Sequence, residues 1–339
     1  MHKSVPSGLL VVVVALVAGQ GNAGGGERSG ASEAIVFERK GDLYAVAVDG
    51  SQTVQLTKTR TLELEPAVSP DGRSIAYARR GPRGYKPHYS PRRERDLWEV
   101  GVDLTGGQLW TMGVDGRPQL RLTRGTRDAG PAWSSDGETI YFSRFVEGEY
   151  WQPCRAVFRV RKDGRELRRL TRVVQKRPGE GPFNPVTAPR DLAVSPDGRR
   201  IAFTERVTCE TTDVLPYLKV VDASGRRTSD LSRQPVVSVD AGNADPTWSP
   251  DGSRIAFHRT SKGYGGIYVA NRDGSGVRRV TPKTRSGHAP AWSPDGAWIA
   301  FVGRGDLYVI HPDGTGLRQL TRTKEHEASP AWLPQMPTG

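Results

Sequence analysis

One phrase returns along this chain often enough to dictate its architecture. It reads Pro66-Ala67-Val68-Ser69-Pro70-Asp71-Gly72, then Pro131-Ala132-Trp133-Ser134-Ser135-Asp136-Gly137. It comes back at Ala193-Val194-Ser195-Pro196-Asp197-Gly198, at Pro246-Thr247-Trp248-Ser249-Pro250-Asp251-Gly252 and at Pro290-Ala291-Trp292-Ser293-Pro294-Asp295-Gly296. Pro330-Ala331-Trp332 is a sixth, truncated copy. Successive aspartates stand 65, 61, 54 and 44 positions apart, so a constant unit carries connections of changing length. Such self-similarity marks a repeat architecture and overrides the two domains that 339 residues would otherwise suggest.

Each unit reads as a four-stranded meander. After the Pro-Asp-Gly turn comes a strand with Ile and an aromatic residue two apart: Ile75/Tyr77, Ile140/Phe142, Ile201/Phe203, Ile255/Phe257 and Ile299/Phe301. Residues two apart share one face of a strand, so each pair is a core signature. Ile35/Phe37 repeats it without a preceding Pro-Asp-Gly. A third strand leads to an Asp-Gly turn (Asp49-Gly50, Asp115-Gly116, Asp163-Gly164, Asp273-Gly274, Asp313-Gly314), and a fourth closes on Leu-Thr or a near variant, as at Leu56-Thr57 and Leu320-Thr321. Proline presets φ, glycine takes the left-handed position and aspartate bonds its own backbone, so these are turn residues. Asn271-Arg272-Asp273-Gly274-Ser275 lacks the alternating acids and terminal Glu of a calcium loop.

The repeats are out of phase with the ends. The first recognisable strand, from Ala34 to Glu38, is a second strand, and the last, from Ala328 to Leu333, is a first strand. Pairing the two completes a sixth unit and removes both exposed edges. The expected fold is all-β: a six-bladed β-propeller over residues 34–339, closed by its terminal strands.

Ahead of it, Lys3, the apolar run from Leu9 to Ala18 and Gly21-Asn22-Ala23 read as a signal peptide over residues 1–23, and residues 24–33 as a flexible linker. The apolar run is half the roughly 20 residues a membrane span needs, so no transmembrane span is expected. The expected location is periplasmic or extracellular.

The Trp-Ser-Pro-Asp-Gly phrase followed by Ile-Ala-Phe, as at residues 248–252 and 255–257, resembles the WD-like propeller repeat of the TolB family, periplasmic components of the Tol–Pal system. The resemblance covers residues 34 to 333 and implies a propeller that binds proteins. Prolyl-oligopeptidase-type enzymes carry similar repeats together with a Gly-x-Ser-x-Gly elbow that this sequence lacks. Oligogalacturonate lyases carry them too; their metal-centred histidine site implies His258, His288 and His326 with Asp245 as its counterpart here.

Turns between first and second and between third and fourth strands share one face, and here they are tight. The variable lengths fall on the opposite face: Arg79 to Gly107, Val146 to Arg155, Arg172 to Arg190, Val207 to Pro216 and Ser232 to Asp245. Long connections on a rigid scaffold are where binding concentrates. The chain carries a formal +12, and Arg79 to Arg95 alone holds seven basic residues against Glu94. Arg79, Arg80, Arg83, Lys86, Arg92, Arg93 and Arg95, with Tyr85 among them, are the candidate partner-binding residues; a solvated insertion is the other reading. The basic stretch from Arg159 to Arg172 falls on third and fourth strands, where charge deters edge-to-edge pairing.

Residues just before the first strands are expected to ring the channel mouth: Glu65, Gly130, Asp191, Asp245, Ala289 and Ser329, with His288 and His326 close by. The repeated tryptophans read as packing between blades. Cys154 and Cys209 fall in second-to-third connections of consecutive blades and form the candidate disulfide. No catalytic residue, cofactor or resident metal is assigned. The function expected is a non-enzymatic scaffold for a protein or peptide partner, anionic in character, and not for nucleic acid. The alternatives are a metal-dependent lyase or hydrolase on an anionic glycan and a binder of an acidic cell-wall polymer.

Overall fold

The structure is a computed structural model that describes residues 34–82, 107–124, 127–147, 153–171, 186–209, 212–213, 217–223, 228–230, 243–261 and 264–334. The expected signal peptide and linker, and Arg83, Tyr85, Lys86, Arg92, Arg93 and Arg95, lie outside these residues.

Six antiparallel sheets account for the described strands. Blade 1 orders Glu327–Leu333, Ala34–Arg39, Asp42–Ala47 and Thr53–Gln55 from the inside outward. Blade 2 runs Thr61–Val68, Ser74–Pro82, Gln108–Gly113 and Gln119–Arg121. Blade 3 runs Asp128–Trp133, Thr139–Glu147, Pro153–Arg161 and Arg168–Arg169. Blade 4 runs Val186–Val194, Arg200–Cys209, Tyr217–Asp222 and Thr228–Asp230, with Thr212–Asp213 added beside its second strand. Blade 5 runs Asn243–Trp248, Arg254–Ser261, Tyr264–Asn271 and Arg278–Arg279. Blade 6 runs His288–Trp292, Ile299–Gly303, Asp306–Ile310 and Arg318–Gln319. Each first strand touches that of the next blade, and 288–292 touches 327–333, so the first strands form a closed ring.

The closure is the expected one. Ala34, Ile35 and Val36 lie opposite Leu333, Trp332 and Ala331 in an antiparallel ladder. The chain therefore makes a six-bladed propeller whose first blade is shared by its two ends.

The core is six layers, each between consecutive blades. Ile75 and Tyr77 pack back on blade 1, whereas Ala76 and Ala78 between and beyond them pack forward on blade 3. Ile299 and Phe301 likewise face blade 5, and Ala300 faces blade 1. The Ile-Ala-Phe phrase thus encodes a large face set against the small face of the preceding blade. Burial of each large side chain contributes about 1.5–3 kcal/mol. The tryptophans pack between blades as expected: the indoles of Trp133 and Trp248 donate to the carbonyls of Ala67 and Ala193 at 3.0 and 3.2 Å.

The turn phrase is a fixed hydrogen-bond unit. Ser69 Oγ donates to Asp71 Oδ1 at 2.6 Å, that carboxylate accepts from Arg73 N, and Ser69 Oγ accepts from Ser74 N. Ser195/Asp197, Ser249/Asp251 and Ser293/Asp295 repeat it. The Leu-Thr ending has its own purpose. Thr57, Thr123, Thr171, Thr281 and Thr321 each accept, through Oγ1, an amide from their blade's third strand. This ties the short outer strand inward. On this turn face the blades also meet closely: Gly50 has φ +77°, and a Cβ there would stand 2.8 Å from the carbonyl oxygen of Leu320.

Candidate channel mouth and loop face

The first strands line the channel, and every one is irregular at the same level. Glu65, Gly130, Asp191, Asp245, Ala289 and Ser329 all have φ between 49° and 58°. Each stands at a register shift in its ladder, for example between Leu64 and Ala67 and between Ala244 and Thr247. These residues sit inside the first strands, not just before them as their spacing suggested. The bulge adds a residue, so the strand continues through a position where the apolar pattern breaks.

Holding a side-chain-bearing residue in the left-handed region costs about 1–3 kcal/mol. Carboxylates of neighbouring blades offset part of that. Glu38 Oε1 accepts from Glu65 N, and Glu65 Oε2 accepts from Gly130 N at 2.6 Å. Asp245 Oδ2 accepts from Ala289 N at 2.9 Å, and Asp245 is itself hydrogen-bonded to the Asp191 side chain. Burial pushes the Asp245 carboxyl up, while the Ala289 amide and Asp191 hold it down. Burial also raises Glu38 to about 7, against hydrogen bonds from Ser329 and the Glu65 amide. Glu38 belongs to this ring although its sequence position, at the end of a second strand, gave no sign of it.

The histidines divide. His258 and His288 meet edge to face with ring centroids 6.3 Å apart. Burial and the neighbouring His288 lower His258 to about 4, and burial lowers His288. His326 is exposed and stands beside Gly305. Among the described residues no three His, Cys, Asp or Glu side chains are gathered to hold a metal ion, so the histidine set with Asp245 is not assembled there.

Arg79 and Arg80 were expected in the connection, but they lie within the strand Ser74–Pro82. Arg79 Nε donates to the fully buried Glu63 at 3.1 Å, and its Nη2 donates to Tyr77 Oη and Gln119 Oε1. The same register places Asp128 opposite Arg144, with Nε to Oδ1 at 2.6 Å, and Glu327 opposite Arg39, with Nε to Oε1 at 3.1 Å. Thr123 and Thr321 donate to Asp128 and Glu327, so each acid joins two blades. Glu63 and Arg79, like Asp128 and Arg144, stand 16 residues apart, a spacing that could have revealed these pairs.

The loop face is uneven. Blades 1 and 6 join their second and third strands through tight hairpins, Lys40-Gly41 and Arg304-Gly305, with positive φ at both residues of each. The long connections, between 82 and 108, 169 and 186, 209 and 217, and 230 and 243, belong to blades 2 to 4 and the entry to blade 5. The strands bearing Cys154 and Cys209 meet this face in adjacent blades; their side chains lie outside the described set.

With six blades, a closed ring and no helix long and apolar enough to cross a membrane among the described residues, the chain is a TolB-like six-bladed β-propeller. The profile of the TolB beta propeller domain matches residues 183–336. The Tricorn protease homolog 1 of Streptomyces coelicolor is 23% identical over 257 residues, covering 74% of this chain but 20% of that protein. A Protein TolB homolog of Chlorobaculum tepidum is 28% identical over 153 residues, 43% of this chain and 29% of its own length. This chain therefore spans a third or less of the curated relatives it matches. The putative TolB of Agrobacterium tumefaciens superposes with a TM-score of 0.60 at 18% identity, over 86% of this chain and 90% of that one, a likeness of fold.

Proposed function

We propose that this chain is an exported, non-enzymatic scaffold that binds a protein or peptide partner through its loop face and channel mouth. One observation carries the reading. The strand ends that the long connections join lie on the rim from which the first strands descend, and the carboxylate-capped bulges lie within those first strands. On the opposite face the described turns are short, and their aspartates accept backbone amides within the turn. Export rests on residues 1–23 as a signal peptide and on the likeness to TolB proteins. The basic residues between 80 and 95 favour an anionic partner, since opposite charge steers encounter.

Cross-linking in an envelope extract tests this. Lys40, Lys58, Lys283 and Lys324 lie in connections of the loop face, and Lys162 lies in a turn of the other. Partner cross-links concentrated on the first four, and reduced when residues 83–106 are deleted, are the expected result. Cross-links centred on Lys162, or recovery unchanged by the deletion, would overturn it.

A further inference from the structure

Four blades place an arginine in the same slot. Arg39 lies 5.0 Å from the Tyr44 ring, Arg79 4.3 Å from Trp110, Arg144 5.0 Å from Phe158 and Arg259 5.5 Å from Tyr268. The aromatic residue is in each case the one paired with the second-strand aromatic: Phe37 with Tyr44, Tyr77 with Trp110, Phe142 with Phe158 and Phe257 with Tyr268. The residue opposite each arginine on the first strand is also equivalent. It is Glu327, Glu63 and Asp128 in blades 1 to 3, and each carboxylate takes the guanidinium.

In blade 5 the residue opposite Arg259 is Asn243, which brings no charge. Among the described residues Arg259 has no hydrogen bond or ion pair; its recorded contact is the Tyr268 ring. The neighbouring cation does not substitute for an acid. Arg279 shares the Tyr268 ring and spends its donors on the carbonyls of Thr281, Gly265, Pro282 and Arg285. Among the described residues blade 5 thus keeps the arginine, its aromatic platform and an added positive charge, with no acid paired to Arg259. Blade 4 has Glu205 opposite Pro189 at this level, and blade 6 has Gly303, its ring Tyr308 being met by Arg285 from the connection before the blade rather than by a second-strand arginine.

We propose that Arg259 and Tyr268 form a binding site for a carboxylate from outside the chain, an acidic side chain of a peptide partner, seated where blades 1 to 3 hold their own Glu or Asp. Stacking on the ring orients the planar guanidinium, whose fork matches a carboxylate with two parallel hydrogen bonds. Arg259 is half-buried and lies near the end of the second strand Arg254–Ser261, toward the loop face. The site rests on the loop-face reading above only for the source of the carboxylate.

The probe is acetate, titrated at constant ionic strength by replacing chloride, with the Arg259 Nε–H resonance followed by NMR. The resonance is assigned by its loss in Arg259→Gln. A saturable shift is expected in the native protein. In Asn243→Asp the shift should need at least tenfold more acetate, because the new side chain takes the guanidinium, and the variant should melt higher than the native protein without acetate. Absence of a saturable shift, an undiminished response in Asn243→Asp, or a lower melting temperature for that variant would overturn the site. A shift without loop-face cross-links would instead sink the partner reading and leave the site standing.

Discussion

The indole Nε1 of Trp332 donates to the carbonyl oxygen of Ala291 at 2.8 Å, which joins the strand that completes blade 1 to the first strand of blade 6. Trp332 is buried and lies directly opposite Ile35, so one side chain touches both sides of the closure. Trp332→Ala is expected to lower the unfolding free energy by about 3–5 kcal/mol in urea titration, as loss of a buried aromatic side chain does. A chain ending at residue 326 is expected to expose the edge of Ala34–Arg39 and to self-associate in sedimentation experiments.

The pair of Glu63 and Arg79 offers a second test. Glu63 is fully buried and Arg79 partly so, and removing one partner of a buried pair costs about 3–5 kcal/mol. Glu63→Gln is expected to lose that much. Glu63→Met with Arg79→Met should lose far less than the two single changes summed. A double-mutant cycle in urea measures the difference.

Two groups give the protein a pH dependence of opposing sign. The folded-state value of Glu38, about 7, lies above its ordinary 4.5. Its contribution is therefore complete below about 4.5 and is lost as pH rises towards 7. His258 is lowered from 6.5 to about 4. Its contribution is complete above 6.5 and is lost as pH falls towards 4. At pH 8 Glu38→Gln is expected to melt higher than the native protein, by about 2–4 °C per kcal/mol gained, and the gain should vanish near pH 4. Replacing His258 with Asn should flatten the loss between pH 6.5 and 4. Thermal melts across pH 4 to 8 decide both.

The turn face predicts an ordering among glycines. Gly50 and Gly137 have similar φ, +77° and +70°, so alanine carries a similar backbone cost of about 1–2 kcal/mol at each. Only at Gly50 would the new methyl meet a carbonyl, at 2.8 Å; at Gly137 the nearest atom is Pro70 Cδ at 3.8 Å. Gly50→Ala is therefore expected to destabilise more than Gly137→Ala, as chemical denaturation will show.

Ser69-Pro70-Asp71-Gly72 and Ile75/Tyr77 make the blade legible because each residue answers a local need, a turn or a two-residue alternation. The closure was readable for the same reason, through the phase of those signals. The ring was harder. Glu65, Asp191 and Asp245 stood out as acids, yet nothing local marks a Glu, an Asp or an Ala for the left-handed region; that conformation is imposed by the bulge and by carboxylates arriving from other blades. Arg79 misled for a related reason. In the chain it heads a basic run, and its partner Glu63 comes into view only when the first and second strands are laid in register. Arg259 is the converse: its ordinary neighbours in sequence conceal that the acid opposite it is missing.

Blade 1 imposes an order of events on a chain made from one end to the other. Arg39 and Glu327 are 288 residues apart, and the inner strand that Ala34–Arg39 pairs with, Glu327–Leu333, is the last of the described strands. On the ribosome the opening hairpin must therefore wait, half-paired, while five complete blades emerge behind it. Any helper protein that shields nascent chains would have its longest task at that one waiting strand.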